Sequence, residues 1–157
     1  MSPCTPVPNL PVTIETANGV PWSPKEAGKV EQNGEMHPLS WGLARSRNNY
    51  SAWIMKQAKQ PQAVANFIHN MGIHSYIDPV PALCLGTSES NVYEMVSAFS
   101  TFANEGVYTT PIFVTRIEDR QGNLIASFAP RTQDAISEHT AYTMLTMLCL
   151  LYTSDAA

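Results

Sequence analysis

Residues 43–53 read Leu-Ala-Arg-Ser-Arg-Asn-Asn-Tyr-Ser-Ala-Trp and place a Ser-x-Asn triplet, Ser46 to Asn48, between two apolar segments. Before the triplet, Leu39 and Leu43 share one helical face, and after it an apolar pattern resumes at Ala52. We therefore predict two short helices with the triplet at their junction. Ser and Asn are common at helix ends because their side chains compete for backbone groups there, so the triplet alone is more typical of a cap than of a catalytic element.

Length and composition indicate one globular domain. A chain of 157 residues can bury a real core, and a hydrophobic fraction of 44% is ordinary for a soluble protein. The nine Lys and Arg residues are spread singly in a chain of net charge −4, so neither nucleic acid nor an anionic membrane is predicted as a partner. The sequence contains no signal-peptide pattern and no apolar run near the roughly eighteen residues that span a bilayer. The cysteines and histidines lack the spacing of a metal site, so no metal site is predicted.

Proline and hydrophobic spacing divide the chain into segments. Six of the twelve prolines precede residue 25, so residues 1–37 are predicted to be an irregular, Pro-rich lead-in with one strand, Val12 to Glu15. Residues 38–148 carry helical spacing and one hairpin, which predicts an α+β domain in which helices dominate.

Turn residues and caps locate further elements in residues 38–148. A helix is predicted from Pro61 to a left-handed stop at Gly72. Ile112 to Glu118 and Leu124 to Phe128 flank a turn and predict a β-hairpin, and Ser137 is predicted to cap a last helix.

A capping-box pattern predicts another helix between these elements. Asn91 is followed by Glu94 three residues later, and the helix is predicted to end at Gly106. The helical spacing of its apolar residues predicts a buried stripe. This stripe consists of Val92, Met95, Val96, Phe99, Phe102 and Ala103.

Several short motifs follow one another in a characteristic order. They are Ser46-Arg47-Asn48, Leu85-Gly86-Thr87-Ser88-Glu89, Glu94-Met95, Phe102-Ala103-Asn104-Glu105-Gly106-Val107-Tyr108, and the hairpin after Pro111 with Asp119 and Gly122. In this order the chain resembles the transpeptidase domain of class A, bifunctional penicillin-binding proteins over about residues 9–148. The resemblance implies part of the α+β transpeptidase fold shared with serine β-lactamases, mostly its helical lobe plus one β-hairpin.

The resemblance implies roles for two residues of the triplet. In that family a Ser-x-x-Lys with the nucleophile, a Ser-x-Asn and a Lys-Thr-Gly meet in one cleft. Ser46 would hydrogen-bond in the proton network and help pass a proton to the leaving amine, and Asn48 would hold the amide of a peptide stem or β-lactam. The chain contains neither a Ser-x-x-Lys nor a Lys-Thr-Gly sequence, so it is predicted to be inactive alone.

The resemblance also implies the function of a parent protein. That protein would be a peptidoglycan D,D-transpeptidase that acts on D-Ala-D-Ala stems, reacts with β-lactams, and is anchored in the bacterial inner membrane facing the periplasm or cell exterior. No cofactor is implied. Two alternatives stay open, a noncatalytic α+β interaction module and a serine D,D-carboxypeptidase or β-lactamase of the same fold.

Two expectations concern the extent of the chain. Residues 149–157, Cys-Leu-Leu-Tyr-Thr-Ser-Asp-Ala-Ala, are what a sequencing adapter read in frame would encode, and are predicted to be a non-native tail. The rest is expected to start after one catalytic element and stop before another. We therefore expect exposed apolar surface around Phe67, Phe99 and Met144, and marginal stability.

Overall fold

The computed structural model describes residues 1–16 and 18–153, with side chains up to Leu150. Its helices are α1 Leu39–Ala44, α2 Asn48–Ala58, α3 Pro61–Asn70, α4 Val92–Ala103 and α5 Glu138–Thr153, with a 3₁₀ turn at Pro81–Leu85. Its strands are β1 Pro6–Pro8, β2 Ile14–Glu15, β3 Pro21–Trp22, β4 Met36–Pro38, β5 Val107–Thr109, β6 Arg116–Glu118, β7 Leu124–Ser127 and β8 Thr132–Asp134. The architecture is α+β, as predicted. In the tail predicted to be non-native, α5 runs on to Thr153 and residues 154–157 lie outside the described part.

The described strands pair as antiparallel two-stranded ladders, β1 with β4, β2 with β3, β5 with β8 and β6 with β7. The Pro-rich lead-in therefore holds more strands than the one predicted, and the predicted Val12 to Glu15 strand is limited to β2. Prolines fit these ladders because a two-stranded ribbon has outward edges that need no N–H donor. Pairing of β1 with β4 fixes the lead-in against the start of α1. Pro38 is the N-cap residue of α1.

Two hydrophobic clusters form the core around α2. Met55, Ala65, Ile77 and Leu83 make one cluster between α2, α3 and the 3₁₀ turn. Val7, Leu39 and Tyr50 make the other, between β1, α1 and α2. Because α2 contributes to both clusters, its position is fixed along its length.

The predicted limits of α3 agree with the structure. Pro61 is at the first helical position, and Gly72 has a φ of +95°, the left-handed conformation that glycine adopts without strain. A Cβ atom on Gly72 would lie 2.1 Å from Cε2 of Tyr108 on β5. The close packing of Tyr108 therefore also excludes any residue larger than glycine at this position.

The prediction for the buried face of α4 is wrong. Val92, Val96 and Phe99 are 79%, 58% and 52% exposed. The buried residues of this helix are instead Glu94, Ser97, Ala98 and Thr101. Small side chains on this face allow α4 to pack closely against β5 and α5. The hydroxyls of Ser97 and Thr101 donate to backbone carbonyls one turn earlier in the helix, so their burial leaves no unpaired donor.

The exposed apolar surface expected on the helices is observed around all three residues. Phe67 is 43% exposed and Phe99 is 52% exposed, and beside the half-buried Met144 the neighbouring Tyr142 and Leu145 are exposed. The helix α4 also ends at Ala103, earlier than the predicted Gly106, because Asn104 leaves the helical conformation and Glu105 has a φ of +54°.

The predicted β-hairpin is present as β6 and β7. Its first strand starts at Arg116 rather than Ile112, and the ladder contains a bulge near Glu118. Asp119 organises the turn, because its carboxylate accepts hydrogen bonds from the backbone of Gln121 and from the backbone and side chain of Asn123. These bonds hold the pKa of Asp119 below its ordinary value, the bond from the Asn123 side chain contributing most.

Candidate functional site

The Ser46–Asn48 turn joins α1 to α2 at a left-handed residue. The N–H of Ser46 donates to the carbonyl of Leu43 and that of Arg47 to the carbonyl of Gly42, both at 2.9 Å. This is the hydrogen-bond pattern of a Schellman motif, in which the left-handed position is usually glycine. Here Ser46 occupies that position with a φ of +51°. A non-glycine residue is disfavoured in this conformation, and such outliers are concentrated at functional sites.

The two helices meet closely beside this turn. A Cβ atom on Gly42 would lie 2.1 Å from Cδ1 of Tyr50, so only glycine fits at that point of α1. The hydroxyl of Tyr50 donates to the carbonyl of Val7 at 3.2 Å, which ties α2 to β1. Burial raises the pKa of Tyr50, against a smaller lowering by the charge of Arg47, so the phenol stays protonated and remains a donor. The helices α1 and α2 are therefore tightly packed against each other beside the turn.

Ser46 and Asn48 differ in exposure and in their contacts. Ser46 is exposed, and the described part of the chain gives its hydroxyl no hydrogen bond. Asn48 is half-buried and is the first residue of α2. Its side-chain Nδ2 donates to the carbonyl of Lys25 at 2.7 Å. Neither side chain caps a helix, which was the alternative structural interpretation of the triplet.

A glutamate from the Pro-rich lead-in takes the place of a helix cap. Arg47 is the N-cap residue of α2 but makes no side-chain cap hydrogen bond. Instead, Oε2 of Glu26 accepts from the N–H of Asn48 at 3.2 Å, and Oε1 accepts from the N–H of Asn49 at 2.9 Å. A carboxylate at this end of a helix also interacts favourably with the helix dipole. No local sequence pattern predicts this contact, because Glu26 is over twenty residues from its partners.

Aromatic rings flank the same turn. The guanidinium carbon of Arg47 lies 5.5 Å from the ring centroid of Trp41, within the range of a cation–π contact. Trp41 in turn stacks on His37, with ring centroids 4.0 Å apart. These contacts hold the side chain of Arg47, the middle residue of the triplet, against Trp41 of α1.

Glu94 makes a second polar centre that sequence reasoning interpreted as a local cap. Asn91 does cap α4, accepting from the N–H of Glu94 at 2.9 Å. The Glu94 carboxylate, however, accepts from the N–H groups of His74 and Ser75 and from the Ser75 hydroxyl, at 2.9, 2.9 and 2.6 Å. The Ser75 hydroxyl is the main reason that the pKa of Glu94 is below its ordinary value. Glu94 thus anchors the loop after α3 and has no free oxygen for chemistry of its own.

Other surfaces add little to the site. A cleft of about 1110 Å³ lies between the β2–β3 ladder and the α2–α3 turn, with Trp22, Met55 and Lys59 among its walls, and its lining includes neither Ser46 nor Asn48. In the described part of the chain no three His, Cys, Asp or Glu side chains are grouped to hold a metal ion. No helix of that part is both long and apolar enough to cross a bilayer.

The chain is similar in sequence to several penicillin-binding proteins, although no protein-family model matches it. It is 28% identical over 141 residues to penicillin-binding protein 1B of Haemophilus influenzae, covering 90% of this chain and 18% of that protein. It is 38% identical over 112 residues to penicillin-binding protein 1F of Bacillus subtilis, covering 70% of this chain and 15% of that protein. The chain thus spans less than a fifth of the length of these relatives.

The fold agrees with the sequence relationship. Penicillin-binding protein A from M. tuberculosis, in a structure of its imipenem acyl-enzyme complex, superposes with a TM-score of 0.79 over 99% of this chain and 40% of that one, at 12% identity. The similarity of fold extends over the lead-in, the helices and the hairpin together. The chain is homologous to part of the transpeptidase region of class A penicillin-binding proteins.

Proposed function

We propose that this chain is the Ser-x-Asn-bearing part of a peptidoglycan D,D-transpeptidase, with Ser46 and Asn48 as its active-site residues. The observation that carries the proposal is the conformation of Ser46. An exposed serine occupies a left-handed position that favours glycine, and it stands two residues from an amide side chain in a chain homologous to transpeptidases. Residues held in such sparsely populated backbone conformations cluster at functional sites.

The proposed reaction proceeds through a serine acyl-enzyme. A serine hydroxyl attacks the carbonyl of the D-Ala-D-Ala bond, the terminal D-Ala leaves with a proton, and the amine of a neighbouring stem then takes the acyl group. The hydroxyl of Ser46 passes that proton to the leaving amine. The amide of Asn48 binds the peptide stem and aligns its carbonyl for attack.

The proposal requires residues that the 157-residue sequence does not contain. The chain has no Ser-x-x-Lys and no Lys-Thr-Gly sequence, so the nucleophile, its base and the third motif have to be supplied by other parts of the protein. We accordingly propose that the chain alone is inactive. β-Lactams would acylate the same nucleophile, in a protein anchored in the bacterial inner membrane and facing the periplasm or cell exterior.

A longer sequence read of the same locus tests this function. A Ser-x-x-Lys sequence upstream of residue 1, in frame and preceded by a glycosyltransferase domain, is the expected result. The same motif without that domain favours a carboxypeptidase or β-lactamase. A complete reading frame without Ser-x-x-Lys contradicts catalysis and favours a noncatalytic interaction module.

A labelling experiment tests the predicted inactivity of the chain. Incubated with a fluorescent penicillin and denatured, the purified 157-residue chain is expected to carry no covalent label. Stoichiometric labelling that unlabelled penicillin prevents would refute the prediction and would place a nucleophile within these residues.

A further inference from the structure

We propose that the Lys25 carbonyl and the Glu26 carboxylate form a clasp that positions Asn48 for substrate, so that these two residues of the Pro-rich lead-in belong to the active-site machinery. This inference rests on the proposed function of Asn48. It assigns a role in the site to a segment that contains none of the sequence motifs of the family.

The Glu26 side chain fixes the backbone of the turn. Its two oxygens accept from the N–H groups of Asn48 and Asn49, at 3.2 and 2.9 Å. The first N–H groups of any helix have no partner within the helix, and here no side chain of the turn itself supplies one. Two charge-assisted bonds therefore determine where α2 begins and hold the Cα of Asn48 in place.

The Lys25 carbonyl fixes the side chain of the same residue. An asparagine amide has an NH₂ group on one side and an oxygen on the other, and rotation by 180° exchanges them. A carbonyl can only accept, so the 2.7 Å contact from Nδ2 to the Lys25 oxygen is lost if the amide reverses. The clasp therefore determines which way the Asn48 amide points.

The remaining hydrogen-bonding capacity of Asn48 matches a peptide bond. Its second N–H and its Oδ1 make no hydrogen bond described in the structure, and the side chain is only half-buried. One donor and one acceptor on a fixed amide can pair with the carbonyl and the N–H of a peptide stem. The close contact between Gly42 and Tyr50 packs α1 against α2 beside the same turn.

Nuclear magnetic resonance on the ¹⁵N-labelled 157-residue chain tests the clasp. The variants are Glu26→Ala, Glu26→Gln and the control Glu89→Gln, which makes the same charge change at an exposed residue remote from the turn. In Glu26→Ala the backbone amides of Asn48 and Asn49 are expected to exchange at least about tenfold faster with solvent. Glu26→Gln is expected to fall between wild type and Glu26→Ala, because a glutamine side chain retains a single acceptor oxygen.

The Asn48 side chain distinguishes positioning from simple helix capping. A cap alone affects the backbone amides, whereas a clasp also shifts the Asn48 side-chain NH₂ resonances and weakens their nuclear Overhauser contact to Lys25. The amides of α3, and the Asn48 and Asn49 signals of Glu89→Gln, are expected to stay unchanged.

Two results would overturn the proposal. One is a wild-type chain without the contact between the Asn48 NH₂ group and Lys25, which needs no variant. The other is a folded Glu26→Gln chain whose Asn48 side-chain resonances match those of wild type. Failure of the proposed function is separate, because a reading frame without Ser-x-x-Lys removes the catalysis and leaves these spectra as they are.

Discussion

Replacing Ser46 with glycine is expected to stabilise the chain, although Ser46 is a proposed active-site residue. The left-handed conformation costs a non-glycine residue roughly 1–2 kcal/mol. Glycine offsets about 0.4–1 kcal/mol of this gain, because it gives the unfolded chain more conformational freedom. Ser46 has a φ of +51° and no hydrogen bond described for its hydroxyl. Its replacement by glycine should therefore gain the conformational cost less the entropy that glycine adds to the unfolded chain. Taking the middle of each range, about 1.5 less about 0.7 kcal/mol, the expected gain in the free energy of unfolding is about 0.8 kcal/mol.

Urea unfolding followed by circular dichroism measures this gain. With a slope of about 2 kcal/mol per molar urea, the midpoint of Ser46→Gly is expected to rise by about 0.3–0.5 M. Lys59→Gly is the matched control, since Lys59 ends α2 with a φ of +61° and is not a proposed site residue. Ser46→Ala retains the strain and is expected to stay within about 0.5 kcal/mol of wild type. A lower midpoint for Ser46→Gly beside a higher one for Lys59→Gly would refute the assignment of strain to this turn.

Three further predictions follow from individual contacts. Tyr50→Phe removes the bond to the buried Val7 carbonyl and is expected to lower the free energy of unfolding by about 1 kcal/mol, and an unchanged urea midpoint would contradict this. Because the pKa of Glu94 is below its ordinary value of 4.5, its stabilisation is present above that pH and is lost as the pH falls through the folded-state pKa. Glu94→Gln should therefore lower the thermal midpoint at pH 7 and differ less from wild type in acid, and a constant difference would argue against the carboxylate as the cause. On α4, Val96→Glu changes an exposed residue and is expected to leave the free energy of unfolding within about 0.5 kcal/mol of wild type. Ala98→Glu places a charge at a buried position and should unfold the chain. Equal effects of the two variants on the thermal midpoint would contradict the observed orientation of the helix.

Local patterns predicted the elements around the triplet well. Proline at the start of α3, glycine after its end, and an asparagine cap before α4 each act through the backbone within a few residues. The junction of α1 and α2 was also predicted locally, because the apolar helical pattern is interrupted at the triplet. Such signals are present in the sequence because the atoms that interact are near each other along the chain.

The orientation of α4 could not be predicted in this way. Helical spacing identifies an apolar stripe, but it does not say which face of the helix meets the remainder of the chain. Ser97 and Thr101 can be buried because their hydroxyls bond to carbonyls of the same helix. Hydropathy treats these two residues as polar and therefore assigns them to the wrong face.

Part of the candidate site could likewise not be predicted from the sequence. The triplet itself identified Ser46 and Asn48, but Glu26 lies in a loop whose position depends on the pairing of β1 with β4 around it. Glu94 fitted a local capping box and bonds instead to a loop about twenty residues earlier. Long-range polar contacts of this kind leave no periodic pattern, so only the folded chain shows them.

The rate of acylation by a fluorescent penicillin tests the central claim most directly, measured on the protein encoded by the complete reading frame at this locus. Wild-type protein is expected to be labelled at its nucleophilic serine. Asn48→Ala is expected to react about 100-fold more slowly, the effect of removing one aligned hydrogen-bond donor from an active site. Asn70→Ala, an exposed residue at the end of α3, is the matched control and should react at the wild-type rate. Equal rates for Asn48→Ala and wild type, or no labelling of wild type, would contradict the placement of the active site at this turn.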